Sequence, residues 1–182
     1  MADRLGVEFL DRAIPTRVAD RLAVPIEEAL AHDETLGDAI GRFVSSFALL
    51  PELAGAMVQA GYHSGEDYRR ETEKLIREHA RDGAVILGRA AAIILSDVPN
   101  ALHVRLDGPP ERRVEQAMAV EELSREDAER LRKSGDRARE GYVRHFYNCD
   151  ARDPALYHLV IDSTSLPVAA VVDVIAAAAT GK

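Results

Sequence analysis

The sequence has one cysteine, three lysines and no apolar run long enough to span a bilayer. Because Cys149 is the single cysteine, an internal disulfide is excluded and no cysteine-based metal cluster can form. The lack of a bilayer-length run, together with the lack of a recognisable signal peptide, leads us to expect a cytoplasmic protein. The net charge of −8 leaves no general basic field, so we expect no nucleic-acid partner and no membrane partner.

The length and composition fit one globular domain. The chain has 182 residues, of which 47% are hydrophobic and 30% are charged, and this is enough apolar material for a core. We predict a single domain over residues 1–182. Its core comprises residues 1–24 and 83–182, a helical region covers residues 25–82, and a lid covers residues 124–150.

Strand and helix patterns alternate along the predicted core. Short apolar runs predict strands at residues 7–10, 84–87, 101–106 and 157–161, and the run at 84–87 is typical of a strand buried on both faces. Apolar periodicity predicts helices at residues 12–22, 26–31, 35–50, 51–62, 64–81, 111–123 and 166–179. Ser124 and Asp127 form a capping box for one further long helix. The alternation predicts an α/β fold with a three-layer parallel sheet.

The helical region at residues 25–82 contains no phosphate motif and no metal motif. His63 and His79 stand alone in it, and we interpret them as surface or capping residues. We predict no metal ligands in the chain.

The most distinctive polar stretch of the sequence surrounds Asp136. Arg132, Arg137 and Arg139 lie within one helical turn of it. Arginine binds phosphate oxygens with a planar fork of donors, and an aspartate among arginines can hold their side chains in place. On a helical lid, such a cluster suits phosphoryl transfer, which needs positioning and charge neutralisation. The alternative is a solvated helix face with i,i+3 and i,i+4 ion pairs.

Polar residues also follow the first two predicted strands, at the edge where open α/β sheets bind ligands. Asp11 follows the first strand, Gly88 and Arg89 follow the second, and Arg17 lies further along the helix that starts after Asp11. Gly88 would allow a ligand to approach the backbone closely, and Arg89 would point into the crevice. The alternatives are a simple tight turn at Gly88 and a surface ion pair at Arg89.

Four segments, taken in order, resemble segments of the bacterial cytidylate kinases. Leu10-Asp11 with Arg17 is similar to their Leu-Asp-x-x-x-x-x-Arg segment, and Gly88-Arg89 is similar to their Gly-Arg-Asp turn. Residues 160–166 are similar to their Val-Leu-Asp-Ser-Thr-x-Leu strand end. Their Arg-x-x-x-Asp-Arg-x-Arg lid is matched by Arg132, Asp136, Arg137 and Arg139. Over residues 1–22 and 83–179 the sequence resembles the divergent cytidylate kinase-like family in particular.

The resemblance implies a P-loop nucleoside monophosphate kinase fold with a helical insertion and an arginine-rich helical lid. It implies ATP with Mg²⁺ as the phosphoryl donor and CMP or dCMP as the acceptor. Carried over position by position, the catalytic residues would be Arg132, Asp136 and Arg139. The substrate-binding residues would be Asp11, Arg17, Gly88, Arg89 and Arg137.

Two features of the sequence depart from the family pattern. Ala90 stands where the family has an aspartate after Gly-Arg, so the specificity for cytidine is left open. The Gly-x-x-x-x-Gly-Lys-[Ser/Thr] loop is missing, and we expect this loop and its strand to lie upstream of Met1. Because that loop forms the anion cradle for the ATP phosphates, its absence predicts weak catalysis.

Three hypotheses follow. The leading one is a cytidylate kinase-like nucleotide phosphotransferase whose activity is reduced by the missing loop. The alternative is a degenerate kinase fold that serves as a nucleotide-binding or dimerising regulatory module, for which a homodimer is expected. The third is a structural α/β domain in which the arginines form surface ion pairs only.

Overall fold

Helices dominate the structure, and four short strands are distributed among them. The computed structural model describes residues 1–11, 13–31 and 65–181. The helices are α1 (Ala2–Leu5), α2 (Ala13–Leu22), α3 (Ile26–Ala31), α4 (Gly65–Asp82), α5 (Ala91–Ile94), α6 (Pro110–Glu121), α7 (Arg125–Tyr147) and α8 (Val168–Thr180). The strands are β1 (Glu8–Leu10), β2 (Ala84–Ile86), β3 (Val104–Asp107) and β4 (Leu159–Asp162), and a 3-10 turn spans Pro154–Leu156.

The described strands form two sheets of two strands each, β1 with β2 and β3 with β4. Strands β3 and β4 are parallel, with a register that runs from Val104 opposite Leu159 to Asp107 opposite Asp162. The mixed α/β class is therefore confirmed, whereas these pairings do not confirm a three-layer sheet.

The strands are less buried than their apolar sequences predict. The three residues of β2 are half-buried, and Leu87 beyond them is 53% exposed. Leu106 in β3 and Val160 in β4 are 54% and 51% exposed. Burial on both faces, which the apolar run at residues 84–87 predicts, is not found. An apolar run identifies a strand, but the number of neighbours that cover the strand is decided by distant parts of the chain.

The chain divides into two compact units, and the first comprises Phe9–Ala91. In this unit helix α2 packs against α3 and α4. The periodic residues Ile14 and Val18 of α2 are buried, as are Leu75 and Ile76 of α4, in agreement with the predicted helix faces. The Tyr68 hydroxyl donates a hydrogen bond of 2.7 Å to a carboxylate oxygen of Glu28, which joins α4 to α3.

The second unit comprises Met1–Glu8 and Ala92–Lys182. Helices α6 and α7 are joined by a short connection and pack against each other. Val114 of α6 is buried, and so are Ala128 and Val143 of α7. Helix α1 ends at Gly6, whose left-handed φ of 65° is typical of a glycine that caps a helix C-terminus. The boundaries predicted for one domain and its helical insertion are not tested by this division and stay predictions.

The predicted capping box begins helix α7. The Ser124 hydroxyl oxygen accepts a hydrogen bond of 3.1 Å from the Asp127 backbone N–H. The same hydroxyl donates a bond of 2.6 Å to the Asp127 carboxylate, and this bond, with a second from Arg130, lowers the pKa of Asp127. The short aspartate thus reaches the cap hydroxyl, where the usual glutamate of a capping box would reach the cap backbone.

We expect Ser124→Ala to lower the free energy of unfolding by about 1 kcal/mol, because the first turn of α7 loses its cap acceptor. Urea denaturation followed by circular dichroism measures the change. Ser124→Thr is the matched control, since threonine keeps the hydroxyl and should stay close to the wild type. Equal stability of the alanine variant and the wild type would contradict the assignment.

Some sequence predictions fall on residues that the structure does not describe. They are the helices at residues 35–50 and 51–62 and the surface role of His63.

Candidate functional site

The first group of predicted site residues lies where β1 and β2 end. The Leu87 backbone N–H donates to the Leu10 carbonyl at 2.9 Å, so the residues that follow the two strands are brought together. The Arg89 guanidinium donates from Nη1 to Asp11 Oδ1 at 2.6 Å and to the Leu87 carbonyl at 2.9 Å. Arg89 is only 3% exposed. The ion pair that was the alternative for Arg89 is therefore present, but it is buried and not on the surface.

The backbone at this turn is left-handed for three successive residues. The φ angles are 74° at Gly88, 52° at Arg89 and 55° at Ala90, and the Ala91 N–H closes the turn on the Gly88 carbonyl at 3.1 Å. Glycine adopts such angles freely, but a residue with a Cβ is strained there. Strained backbone persists where the surroundings fix it, and it is concentrated at functional sites. The buried pair of Arg89 with Asp11 supplies that fixation.

We expect Ala90→Gly to raise the free energy of unfolding by about 0.5 kcal/mol, because relief of the left-handed strain exceeds the entropy that glycine adds to the unfolded chain. Chemical denaturation measures this change. Gly88→Ala is the opposite control and should destabilise the chain by about 1 kcal/mol for the same reason. A loss of stability in Ala90→Gly would show that the turn is not strained at this position.

Arg17 lies in the same unit, on helix α2. It is half-buried, and its Nη1 contacts Nε2 of His79 on helix α4. The sequence had assigned His79 only a surface or capping role, and no local signal linked it to Arg17, from which it is separated by 62 positions. Arg17 and the buried pair of Asp11 with Arg89 therefore belong to one unit, with His79 as an additional neighbour of Arg17.

The second group is centred on the Asp136 carboxylate of helix α7. Arg113 Nη2 and Arg139 Nη2 donate to Oδ1 at 2.7 and 3.0 Å. Arg113 Nη1 and Arg132 Nη1 donate to Oδ2 at 3.1 and 3.2 Å. We call Arg113, Arg132, Asp136 and Arg139 the Asp136 cluster. The helical spacing of Arg132 and Arg139 from Asp136 predicted their proximity, whereas Arg113 comes from helix α6.

The electrostatics of the Asp136 cluster favour an anion. Burial of the Asp136 carboxyl acts to raise its pKa, but the hydrogen bonds and charges of Arg113 and Arg139 outweigh burial, so its pKa is lowered. The bond to Asp136 in turn raises the pKa of Arg113. Three guanidinium groups against one carboxylate leave the cluster with an excess of positive charge.

Two arginines of the cluster retain donors that a ligand could use. Arg132 Nε is buried and has no hydrogen-bond partner in the described part of the chain. The Arg139 side chain is 49% exposed. Arg137, which the sequence also proposed, is exposed on α7 and is not among the arginines that bind Asp136.

The ends of β3 and β4 are occupied by internal hydrogen bonds. Asp162 Oδ1 accepts from the Thr164 backbone N–H at 3.0 Å and from its hydroxyl at 2.6 Å, and Oδ2 accepts from Arg112 at 2.7 Å. A Cβ at Gly108 would lie 2.6 Å from the Thr164 methyl carbon. Glycine is therefore required at 108 by packing, and this strand end is filled by its own side chains.

The resemblance implies both ATP and Mg²⁺, and the described residues suit the phosphates of ATP better than the metal ion. The Asp136 cluster has the positive charge and the unpaired donor that a phosphate group needs. Among the residues with described positions, no group of three or more histidine, cysteine, aspartate or glutamate side chains could hold a metal ion. We therefore assign no residue as a ligand of Mg²⁺.

Among the helices that the structure describes, none is both long and apolar enough to cross a membrane.

The mixed α/β organisation, with the parallel pair β3 and β4, fits a kinase-like nucleotide-binding fold. The sequence model of the cytidylate kinase-like family matches residues 1–165, and the chain belongs to this family. The resemblance drawn from the four sequence segments is thereby confirmed.

Two further similarities were found. A uronate isomerase of Corynebacterium glutamicum is 31% identical over 106 residues, which are 58% of this chain and 20% of that protein. The chain thus spans about a fifth of the length of this curated relative. A crystal structure of an uncharacterized protein from Eubacterium ventriosum superposes with a TM-score of 0.58 at 24% identity, over 64% of this chain and 74% of the other. This second similarity supports the fold alone.

Proposed function

We propose that the chain is a nucleotide phosphotransferase that uses ATP to phosphorylate CMP or dCMP. The observation that carries this proposal is the Asp136 cluster, in which three arginines share one carboxylate and Arg132 Nε remains buried without a hydrogen-bond partner among the described residues. A buried donor without a partner is costly, and a phosphoryl oxygen would satisfy it.

In the proposed reaction an oxygen of the monophosphate attacks the γ-phosphorus of ATP. A new P–O bond forms, the bond to the bridging oxygen breaks, and ADP leaves with the electron pair. The negative charge of the transferring group is spread over its equatorial oxygens, and positioned guanidinium groups neutralise it. We assign this contact to Arg132 and Arg139, while Asp136 holds both side chains in place.

We assign the binding of the acceptor monophosphate to Arg17 and Arg89. The guanidinium of Arg89 is oriented by Asp11 and by the Leu87 carbonyl, so its positive charge is held where β1 and β2 end and would attract the acceptor phosphate. Gly88 is exposed and lacks a Cβ, so it offers its backbone to a ligand. Arg137, exposed on α7, would add charge without direct support from Asp136.

Mg²⁺ would be brought by the donor nucleotide and would neutralise the charge of its β- and γ-phosphates.

A second candidate function is a nucleotide-binding or dimerising regulatory module. It is favoured by the Asp136 cluster itself, whose excess of positive charge and buried Arg132 Nε suit the binding of a phosphate whether or not that phosphate is transferred. In that case the arginines would bind a nucleotide without transferring its phosphate.

The two candidates differ in turnover. The chain is incubated with ATP, Mg²⁺ and one acceptor at a time from CMP, dCMP, UMP and AMP, and ³¹P NMR follows the formation of ADP and the diphosphate product. With CMP or dCMP as the acceptor, we expect ADP and the nucleoside diphosphate to form in equal amounts. Binding of CMP without product would support the regulatory module, and neither binding nor product would contradict both functions.

A further inference from the structure

Arg113 contacts both oxygens of the Asp136 carboxylate, although it lies outside the four short segments whose residues were matched to those of the cytidylate kinases. It is located in α6, 23 positions before Asp136. Its two terminal nitrogens bind the two carboxylate oxygens separately, at 2.7 and 3.1 Å. This is the two-point contact that arginine makes with a carboxylate, and it fixes both the position and the plane of the carboxylate.

The carboxylate that Arg113 fixes is the same group that orients the two other arginines. Oδ1 is shared by Arg113 and Arg139, and Oδ2 is shared by Arg113 and Arg132. Helix α7 alone would place Arg132 and Arg139 near Asp136, but a helical ion pair on its own is weak and mobile. The contact from α6 therefore defines where the two arginines of α7 stand.

A negative charge at the carboxyl end of strand β3 also acts on Arg113. The negative charge of Asp107, the last residue of β3, acts on Arg113 and contributes to its raised pKa, after the larger effect of Asp136. Asp107 is itself fixed, because its carboxylate binds Arg105 at 2.9 Å and the Gly108 N–H at 2.9 Å. The attraction from the fixed carboxylate at the end of β3 therefore acts on Arg113 in addition to its direct contact with Asp136.

We propose that Arg113 is a positioning residue, which holds Asp136 so that Arg132 and Arg139 are already arranged for a phosphoryl group before it binds. This inference rests on the proposed function of the Asp136 cluster. Arg113 itself does not contact the phosphate, since its terminal nitrogens are engaged by Asp136. It lowers the cost of binding, because arginines that are already ordered lose less conformational freedom when the ligand arrives.

The substitution that tests this role is Arg113→Lys. Lysine keeps the positive charge but offers a single nitrogen, so it cannot bridge both carboxylate oxygens. Arg112→Lys is the matched control, because Arg112 is the neighbouring residue of α6 and makes an exposed, single contact with Asp162. Asp136→Asn, alone and combined with Arg113→Lys, completes a double-mutant cycle.

The measurement is isothermal titration of the whole chain with ATP and, separately, with inorganic pyrophosphate at constant ionic strength. We expect Arg113→Lys to weaken binding about tenfold, and Arg112→Lys to leave it within about twofold of the wild type. In the Asp136→Asn background, Arg113→Lys should have no further effect, because the group through which it acts is gone.

Three results would overturn the positioning role. One is wild-type affinity in Arg113→Lys, which would show that only the charge matters. Another is an equal loss in both variants of α6, which would show an unspecific effect. The third is a full tenfold loss that persists in the Asp136→Asn background, which would show a direct contact between Arg113 and the phosphate.

A failure of the proposed function gives a different result, since the wild type would then bind neither ATP nor pyrophosphate.

The position of the Asp136 carboxylate can still be tested by NMR titration of its side-chain carbon. If Arg113 holds this carboxylate, Arg113→Lys raises the pKa of Asp136 towards the usual aspartate range, because the two-point contact that lowers it is lost. An unchanged pKa of Asp136 would overturn the role of Arg113 independently of any nucleotide.

Discussion

Arg89→Ala is expected to lower the free energy of unfolding by about 3 kcal/mol, which makes it the most destabilising of the substitutions considered for the charged residues of this chain. Arg89 is 3% exposed, and its guanidinium binds both Asp11 and the Leu87 carbonyl. Its removal leaves the Asp11 carboxylate, which is 26% exposed, without its cation, and leaves a space where the side chain was. Urea denaturation of the two proteins measures the difference.

Arg70→Ala is the matched control for this prediction. Arg70 also pairs with an aspartate at short range, 2.7 Å from Asp67, but its side chain is 67% exposed. We expect a change below about 0.5 kcal/mol there, because solvent screens such a pair. If Arg89→Ala and Arg70→Ala had equal effects, the burial of Arg89 would not contribute to stability as the structure indicates. The burial also means that loss of ligand binding in Arg89→Ala would not separate a ligand contact from a folding defect.

Arg139→Ala is expected to reduce kcat of the proposed phosphoryl transfer by about 10²- to 10³-fold, the usual effect of removing one donor that stabilises transition-state charge. Folding stability should change by less than about 0.5 kcal/mol, because the side chain is 49% exposed and its bond to Asp136 is an i,i+3 helical pair. Arg139 therefore separates function from folding in a way that Arg89 does not. Steady-state kinetics and denaturation of the same preparation measure the two quantities.

Arg125→Ala serves as the control on the same helix. Arg125 lies at the start of α7, pairs with Glu111 of α6 at 3.1 Å and is 51% exposed, so it matches Arg139 in exposure and, like Arg139, pairs with a carboxylate. We expect its kcat to stay within about twofold of the wild type, since an exposed pair outside the Asp136 cluster stabilises no reacting group. A similar loss in both variants would indicate that the positive charge of the helix matters and not the position of Arg139.

The sequence predicted features that depend on local spacing. The capping box at Ser124 and the proximity of Arg132 and Arg139 to Asp136 follow from distances of three or four residues along a helix. Such contacts are determined by backbone geometry alone, so the sequence contains the information needed to predict them.

The features that the sequence could not provide depend on distant residues. Arg89 meets Asp11 across 78 positions, and Arg17 meets His79 across 62. Nothing in either neighbourhood distinguishes a buried ion pair from a surface one, and nothing in helix α6 marks Arg113 as the partner of Asp136. The pairing of strands is also non-local, which is why four strand-like runs predicted one sheet and the described strands form two pairs.

The family match supports the fold, whereas the site geometry supports the proposed substrates and residue roles. The match over residues 1–165 identifies the family and its kinase-like fold. The choice of CMP or dCMP, the donor ATP and the roles of individual arginines are proposals that rest on the contacts of the Asp136 cluster and of the pair formed by Asp11 and Arg89.

The central claim is that the arginines of this chain bind the phosphate of a nucleotide. The most direct test is isothermal titration of the wild-type chain with CMP and, under the same conditions, with cytidine. We predict that CMP binds and that cytidine binds at least about tenfold more weakly, because hydrogen bonds from arginine to a charged phosphate contribute about 1.5–3 kcal/mol. Equal affinity for the two ligands, or no binding of CMP at all, would contradict the claim.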